Sequence, residues 1–362
     1  MLLVGIMAAT LWGIGALMGA LRRQRLYMLL VLFAAVLLEQ LLLPDGHPLR
    51  EATGGSPALW LLLGGFGVLA LIYGLGVAAL RRRAERRAAP PAAAPRPAGR
   101  FSEGELERYA RHIVLREIGG PGQTRLKAAK VLVIGAGGLG APALQYLAAG
   151  GVGTIGVIDD DVVENANLQR QVIHRAADIG LPKVQSAQAA MLAQNPAVAV
   201  RPYHRRLTPE IAPELFADYD LILDGTDNFD TRYLANATAV AAGKPLVSGA
   251  LSQWEGQLSV FDPARAGPCY QCIFPQAPAP GLAPSCAEAG VIGPLPGVIG
   301  AMMAVEAIKL IAGAGTPLRG QMLIYDALYG ETRTIALTRR EDCPVCGAGS
   351  TEEQDPSASV SV

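Results

Sequence analysis

Charge is scarce where this chain begins. The 362 residues carry 31 basic and 31 acidic side chains, which cancel, so no global field favours nucleic acid as a partner. Within residues 1–80 the charged side chains are Arg22, Arg23, Arg25, Glu39, Asp45, Arg50 and Glu51. Aromatic residues make up 6% of the chain, and cysteines number five. Four of these form two Cys-x-x-Cys pairs, Cys269/Cys272 and Cys343/Cys346, a spacing that suits metal ligation in a reducing compartment, with a disulfide frame as the alternative. A basic segment ahead of the first apolar run and a small-residue cleavage site are both missing, which argues against a removable signal peptide.

In place of charge the amino-terminal region has three apolar stretches, Met1–Leu21, Leu26–Leu43 and Ala58–Leu80. Each approaches the roughly 20 residues that a helix needs to cross a bilayer. Arg22, Arg23 and Arg25 separate the first two stretches, and Arg81, Arg82, Arg83, Arg86 and Arg87 follow the third. The positive-inside rule keeps both clusters cytoplasmic. It predicts three spans, with the amino terminus outside and everything after Arg81 inside. The turn at Arg22–Arg25 is tight, so two spans plus an interfacial helix is the alternative. Residues 1–87 are therefore expected to form a multi-pass anchor in the inner (cell) membrane.

Residues 88–100 are nearly all alanine and proline, including Pro90, Pro91, Pro95 and Pro97. Such a segment builds no core and reads as an extended spacer. Residues 101–347 have a globular pattern, and residues 348–362 are small and polar, as in a disordered tail. Within the globular part a helix is predicted over Glu103–Ile118 with Ser102 as its cap. A strand at Lys130–Ile134 feeds a glycine-rich turn, and a helix then runs to Ala149. Strands follow at Thr154–Ile158, near Val198–Tyr203, and at Asp220–Asp224, Leu246–Ser248 and Gln257–Phe261, with helices at Lys183–Gln194 and Gly297–Ile311. This alternation predicts an α/β, Rossmann-like fold with a mostly parallel sheet and helices on both faces.

The glycine turn contains Gly135, Gly137, Gly138 and Gly140 between a strand and a helix. That is where backbone N–H groups and a helix amino terminus can cradle phosphates. Asp159, at the end of the second strand, can take a ribose hydroxyl pair. On these features alone a nicotinamide-dependent dehydrogenase leads. The following polar run, Asp159-Asp-Asp161 and then Asn167-Leu-Gln-Arg170-Gln171, changes the balance, as does Lys183. An arginine and a lysine beside a nucleotide suit a triphosphate and a leaving pyrophosphate. Asp227, just past a strand, can hold Mg²⁺ together with phosphate oxygens and waters. It can equally cap the helix that starts at Phe229, and Asn228 lies beside it. The two cysteine pairs close a tetrahedral structural Zn²⁺ site.

The run from Arg108-Tyr-Ala-Arg111-His112 through Gly-x-Gly-Gly-Leu-Gly, Asn-Leu-Gln-Arg-Gln, Pro182-Lys183, Thr-Asp-Asn and two Cys-x-x-Cys pairs resembles the ThiF/MoeB/HesA family. These are ubiquitin-activating-enzyme-like adenylyltransferases, and the likeness, strongest to molybdopterin-synthase adenylyltransferases, covers roughly residues 102–347. It implies that ATP adenylates the Gly-Gly carboxylate of a small ubiquitin-like sulfur-carrier protein, giving an acyl-adenylate and pyrophosphate, in molybdopterin or thiamine-type sulfur transfer. The implied roles are nucleotide contact for Gly135, Gly137, Gly138 and Gly140, ribose for Asp159 with Asp161 beside it, and phosphates for Asn167, Arg170, Gln171 and Lys183. Asp227 would bind Mg²⁺, with Asn228 nearby. Arg111 resembles an arginine supplied to the partner's ATP site, which implies a homodimer. Cys286 resembles a loop cysteine that is either a thioester or persulfide carrier or an inert thiol. The apolar amino-terminal region departs from the family pattern, as does the want of a sulfurtransferase domain after Cys346, from which a separate sulfur donor is expected. A nicotinamide oxidoreductase and a non-catalytic membrane scaffold are the rival readings.

Overall fold

The computed structural model describes residues 2–19, 21–88, 101–278 and 289–347. Residues 89–100 of the spacer, the tail and Cys286 lie outside them. The chain separates into two units, 1–94 and 95–362.

The first unit is helical: α1 (Leu2–Leu17), α2 (Arg22–Leu42), α3 (Pro48–Thr53) and α4 (Pro57–Ala88). Helices α2 and α4 contain segments long and apolar enough to cross a membrane, Arg23–Leu42 and Pro57–Val77. Helix α1 is shorter than the first apolar stretch suggests. It stops at Leu17 in a turn at Met18–Gly19, and its 16 residues rise about 24 Å, short of a hydrocarbon core of about 30 Å. The inside of this unit is small. Val4, Val36 and Trp60 are buried together, and Trp60 Nε1 donates to the Thr53 carbonyl. Gln40 donates to Thr53 Oγ1 and to the Arg50 carbonyl, which ties α2 to α3. Leu61, Phe66, Leu69, Ile72 and Tyr73 of α4 all face outward.

The second unit is built on one eight-stranded sheet in the order β3-β2-β1-β4-β5-β6-β7-β8. Its strands are β1 (Lys130–Ile134), β2 (Thr154–Ile158), β3 (Ala199–Tyr203), β4 (Leu221–Asp224), β5 (Leu246–Leu251), β6 (Glu255–Phe261), β7 (Gln321–Asp326) and β8 (Glu331–Ala336). Strands β3 to β5 in that order are parallel; β6, β7 and β8 add on antiparallel. The mostly parallel expectation describes the half that carries the glycine turn. Helices are α5 (Glu103–Ile113), α6 (Gly119–Ala128), α7 (Gly140–Ala149), α8 (Lys183–Gln194), α9 (Ala212–Ala217), α10 (Phe229–Ala241), α11 (Tyr270–Ile273) and α12 (Pro294–Ala312).

Side chains alternate across the sheet because a strand repeats every two residues. Val131 and Val133 point into one core with α7, α8 and α12, including Leu144, Val184, Ile299 and Met303. Leu132 and Ile134 point into the other with Phe216, Tyr219 and Ala235. Helix α5 starts as predicted: Ser102 Oγ accepts from Glu105 N–H, and the Glu105 carboxylate accepts from Ser102 N–H, a reciprocal capping box. It ends at Ile113, five residues before the expected end, and the chain turns into α6. Pro121 is tolerated there because it sits in the first turn of that helix.

Candidate active site

A cavity of about 540 Å³ opens at the carboxyl ends of β1, β2 and β4. Strand β1 pairs with β2 on one side and β4 on the other, so this is the point where the strand order reverses and where open α/β sheets bind ligands. The glycine turn lies along one wall. Gly135 adopts φ +91°, in the left-handed region that other residues avoid. A Cβ on Gly140 would collide with the Gly135 carbonyl, so that glycine lets α7 start directly against the turn.

Asp159 closes β2 and grips this wall. Its Oδ2 accepts from Ala136 N–H at 2.7 Å, and its Oδ1 accepts from Asp161 N–H at 2.8 Å. Opposite stands Lys183, the first residue of α8, buried and paired with Asp161 Oδ2 at 2.6 Å. Asp161 is itself exposed, so an incoming phosphate can draw the ammonium away from it at little cost. Arg170 reaches the same cavity and is steered from behind by Asn167, whose Oδ1 accepts from Nη2 at 3.1 Å. Gln171 is buried on this wall, and its Oε1 has no hydrogen-bond donor among the described residues.

The floor is the end of β4. Asp224 is buried and pairs with buried Arg232 at 3.2 Å. Arg232 also donates to Ser248 Oγ, the Gly249 carbonyl and the Thr226 carbonyl, while Asp224 Oδ1 accepts from Thr226 N–H and Oγ1. This guanidinium ties the loop after β4 to the ends of β4 and β5. Leaving either member of a buried pair alone costs about 3–5 kcal/mol, so the floor is rigid. On that loop Asn228 is the helix cap: its Oδ1 accepts from Thr231 N–H at 2.8 Å. Asp227 is exposed at the cavity and has no hydrogen-bond or ion-pair partner among the described residues. Of the two roles open to Asp227, the cap thus belongs to its neighbour, and its own carboxylate is free to take a cation.

The four paired cysteines converge at α11 and do not themselves line this cavity, although Tyr270 between the first two does. All are buried, and their sulfur atoms lie within 4.8 Å of one another. Neighbouring Sγ–Sγ separations are 3.9, 3.6 and 3.4 Å, close to the roughly 3.8 Å edge of a tetrahedron with 2.3 Å metal–sulfur bonds. A four-thiolate set in a closed, water-free setting fits a structural zinc. Burial pushes the Cys346 thiol up to about 11 and raises Cys269 as well. Burial also raises Cys343, but backbone N–H groups of Cys346 and Val345 outweigh it and bring that thiol to about 7.

Residues 109–345 match the ThiF family. The chain belongs to that family. A sulfur carrier protein adenylyltransferase of Thermus thermophilus is 51% identical over 259 residues, covering 70% of this chain and 96% of that protein. A probable adenylyltransferase/sulfurtransferase, MoeZ, of Mycobacterium tuberculosis is 53% identical over 251 residues, covering 68% of this chain but 64% of its own length. The SAMP-activating enzyme E1 of Haloferax volcanii is 49% identical, with 68% and 90% covered. Among solved structures, selenomethionyl PaaA superposes with a TM-score of 0.58 at 25% identity, covering 75% of this chain and 83% of that one. Escherichia coli MccB with MccA-N7isoAsn gives 0.60 at 24%, covering 66% and 74%, a likeness of fold alone.

The ThiF-family unit gathers Gly135, Gly137, Gly138, Asp159, Asp161, Arg170, Gln171, Lys183, Asp227 and Asn228 at one cavity. Asn167 and Gly140 stand behind the lining, one orienting Arg170 and the other admitting α7. Arg111 is exposed on α5, beside a second hollow formed with Tyr146 of α7 and Val305 of α12, and does not line the cavity at the glycine turn. Sequence reasoning missed Asp224 and Arg232, and also Arg205 and Arg206, which follow β3 and line the cavity. The only sequence signal for the latter was a doublet of arginines just past a strand.

Proposed function

We propose that this chain adenylates the carboxy-terminal carboxylate of a small sulfur-carrier protein with ATP, in a membrane-anchored setting. The observation that carries the reading is the free Asp227 carboxylate sharing one cavity with Arg170, Lys183 and the glycine turn. The adenylyltransferase and activating-enzyme names of the Thermus, Mycobacterium and Haloferax relatives support the same reaction. A carboxylate oxygen of the carrier forms a bond to the α-phosphorus as the bond to the bridging oxygen breaks, and pyrophosphate leaves with the electron pair. No protein nucleophile is needed. The chain's task is to align the two reactants and stabilise charge on the phosphates. Asp159 holds the ribose, the turn from Gly135 cradles the phosphates, and Arg170 and Lys183 meet the growing negative charge. Each well-placed donor of this kind is worth about 3 kcal/mol. Asp227 would hold Mg²⁺, which neutralises phosphate charge when bound. The nicotinamide alternative leaves Arg170, Lys183 and Asp227 without a task.

The four cysteines would hold Zn²⁺ and fasten the chain after β8 to α11, with no part in the chemistry. Exposed Arg111 fits a contribution to a second copy of the chain, and Cys286, outside the described residues, would be either a thioester or persulfide carrier or an inert thiol. Residues 1–87 would be the anchor, 88–100 the spacer, 101–347 the enzyme and 348–362 a tail. Two long helices with arginines at the same end of the hairpin favour two spans, α1 lying at the surface of the inner membrane. The test is carrier-dependent exchange between ATP and pyrophosphate by the full chain in detergent. Exchange with a Gly-Gly-ending carrier, lost in Asp227→Ala, supports the reading; absence of exchange with every such carrier of the same genome overturns it.

A further inference from the structure

One buried array beside the cavity has no task in that reaction. His174 is 6% exposed and Ser186 3%. His174 Nε2 lies 2.9 Å from the Ala136 carbonyl, inside the glycine turn. Its Nδ1 lies 2.9 Å from Ser186 Oγ, which in turn lies 2.7 Å from Asp178 Oδ2. The same carboxylate oxygen accepts from Arg175 N–H at 3.2 Å. His174 donates its own N–H to the Gln171 carbonyl, so it is built into the segment that carries Arg170. Ser186 lies on α8 one turn after Lys183. Ala136 is held from the other side, its N–H bonded to Asp159. Three separate elements that present groups to the phosphates therefore meet at one imidazole.

We propose that His174 is a positioning residue for ATP: with Ser186 and Asp178 it pins the Ala136 carbonyl, and so keeps the glycine turn, the Arg170 segment and the Lys183 helix in register around the phosphates. The inference rests on the adenylation reading and deepens it. A proton count gives the device a signature. The Ala136 oxygen only accepts, so Nε2 carries a hydrogen. Ser186 has one hydroxyl hydrogen and two claimants, Nδ1 and Asp178. All three contacts are hydrogen bonds at once only when the array holds one proton more than a neutral imidazole and a carboxylate. Burial lowers the His174 pKa below its ordinary value, and the Lys183 ammonium on α8 pushes the same way. The bond to Ala136 and the Asp159 and Asp178 carboxylates oppose this; the glycine turn contributes no titratable group. Acidification through that lowered value therefore completes the array and tightens the cradle.

The experiment is calorimetric binding of MgATP to the full chain in detergent, which needs no carrier. Ser186→Ala removes one hydroxyl from a helix that alanine favours, so the fold is kept. The expected result is about a two- to ten-fold weaker Kd for ATP, the worth of one hydrogen bond, and in exchange assays a KM for ATP that rises more than kcat falls. Protonation of ATP itself affects wild type and variant alike, so the ratio of their Kd values isolates the array, and it should widen as pH falls through the His174 titration. His174→Gln, which can still donate to Ala136, should bind ATP more tightly than His174→Ala. A ratio of one at every pH, with only the melting temperature lowered, would overturn the inference while leaving adenylation intact. Wild type that fails to bind ATP would overturn the adenylation reading, and this inference with it.

Discussion

Helix α12 and the Pro57–Val77 segment of α4 are alike in length, 19 and 21 residues, and in apolar character, and each is able by composition to cross a membrane. Half of α12 is buried, against almost none of the α4 segment. Hydropathy measures how much apolar surface a helix brings and says nothing of what will cover it. For α12 the cover is made by the chain. It lies against α7, β5 and β6, and glycines on the facing strands make room for it: a Cβ on Gly249 would strike Met303, and one on Gly256 would strike Ile299. For α4 no such surface exists among the described residues, and Phe66, Leu69 and Ile72 face outward. Exposed apolar surface on that scale marks an interaction with lipid or another apolar partner.

Placing a charge in each helix breaks the comparison most directly. Met303→Lys puts an unpaired ammonium in the core and should cost about 4 kcal/mol or more, read as loss of cooperative unfolding of the α/β unit. Leu69→Lys should leave that unfolding transition in place and instead penalise insertion by about 3 kcal/mol, read as a shift from membrane to soluble or aggregated fractions. If both changes unfold the α/β unit alike, the two helices do not have different partners.

Arg232→Met is next in size. It leaves Asp224 buried without its cation and should cost about 3–5 kcal/mol, measured by urea unfolding in detergent. Because the floor holds the loop that carries Asp227, ATP binding should weaken as well.

Removing the zinc proposed for the four cysteines should act more gently and only on the second unit. Chelation is expected to lower the melting temperature while leaving KM for ATP close to its starting value. Metal must displace protons from the thiols, and burial holds Cys346 up to about 11. Zinc retention should therefore fall steeply as pH drops, which metal analysis after dialysis at a series of pH values would read.

The smallest effect lies at the start of α5. Burial raises the Glu105 pKa, but hydrogen bonds from Lys127 and Ser102 outweigh it and hold the carboxyl below its ordinary 4.5. A lowered folded-state value stabilises above the ordinary one and is lost as pH falls through the lowered one. Lys127→Met should thus cost about 1 kcal/mol at neutral pH and almost nothing in acid, by comparison of unfolding curves.

Legibility in the sequence followed local signals. Strands β1 and β2 and helix α8 end where alternation, glycine and proline say they should. The capping box at Ser102 was readable from a serine followed three residues later by a glutamate. Strand β8 was not, because all of its residues from Glu331 to Ala336 are exposed and no buried face imposes a period of two. Helix α6 hid behind Gly119-Gly-Pro-Gly122, a turn-like string made helical by packing against α12 and α5. In the site, the glycine turn, Asp159, Arg170, Lys183 and Asp227 could be read because short motifs carry them. Arg205, Arg206, Asp224, Arg232 and His174 could not. Each looks like an ordinary surface or core residue until strands distant in sequence are laid side by side.

By itself the sequence determined which chemistry is on offer: a glycine-rich turn between strand and helix, two cations, a carboxylate past a strand, four paired cysteines and long apolar helices. These are properties of residue type and short spacing, and they need no fold to be named. Tertiary structure decided their employment. It gave the cap to Asn228 and so freed Asp227, buried one apolar helix and left another uncovered, and brought a turn, a loop segment and a helix together at a single histidine. Such outcomes depend on contacts between segments tens of residues apart, whose geometry is set by the packing of the whole sheet.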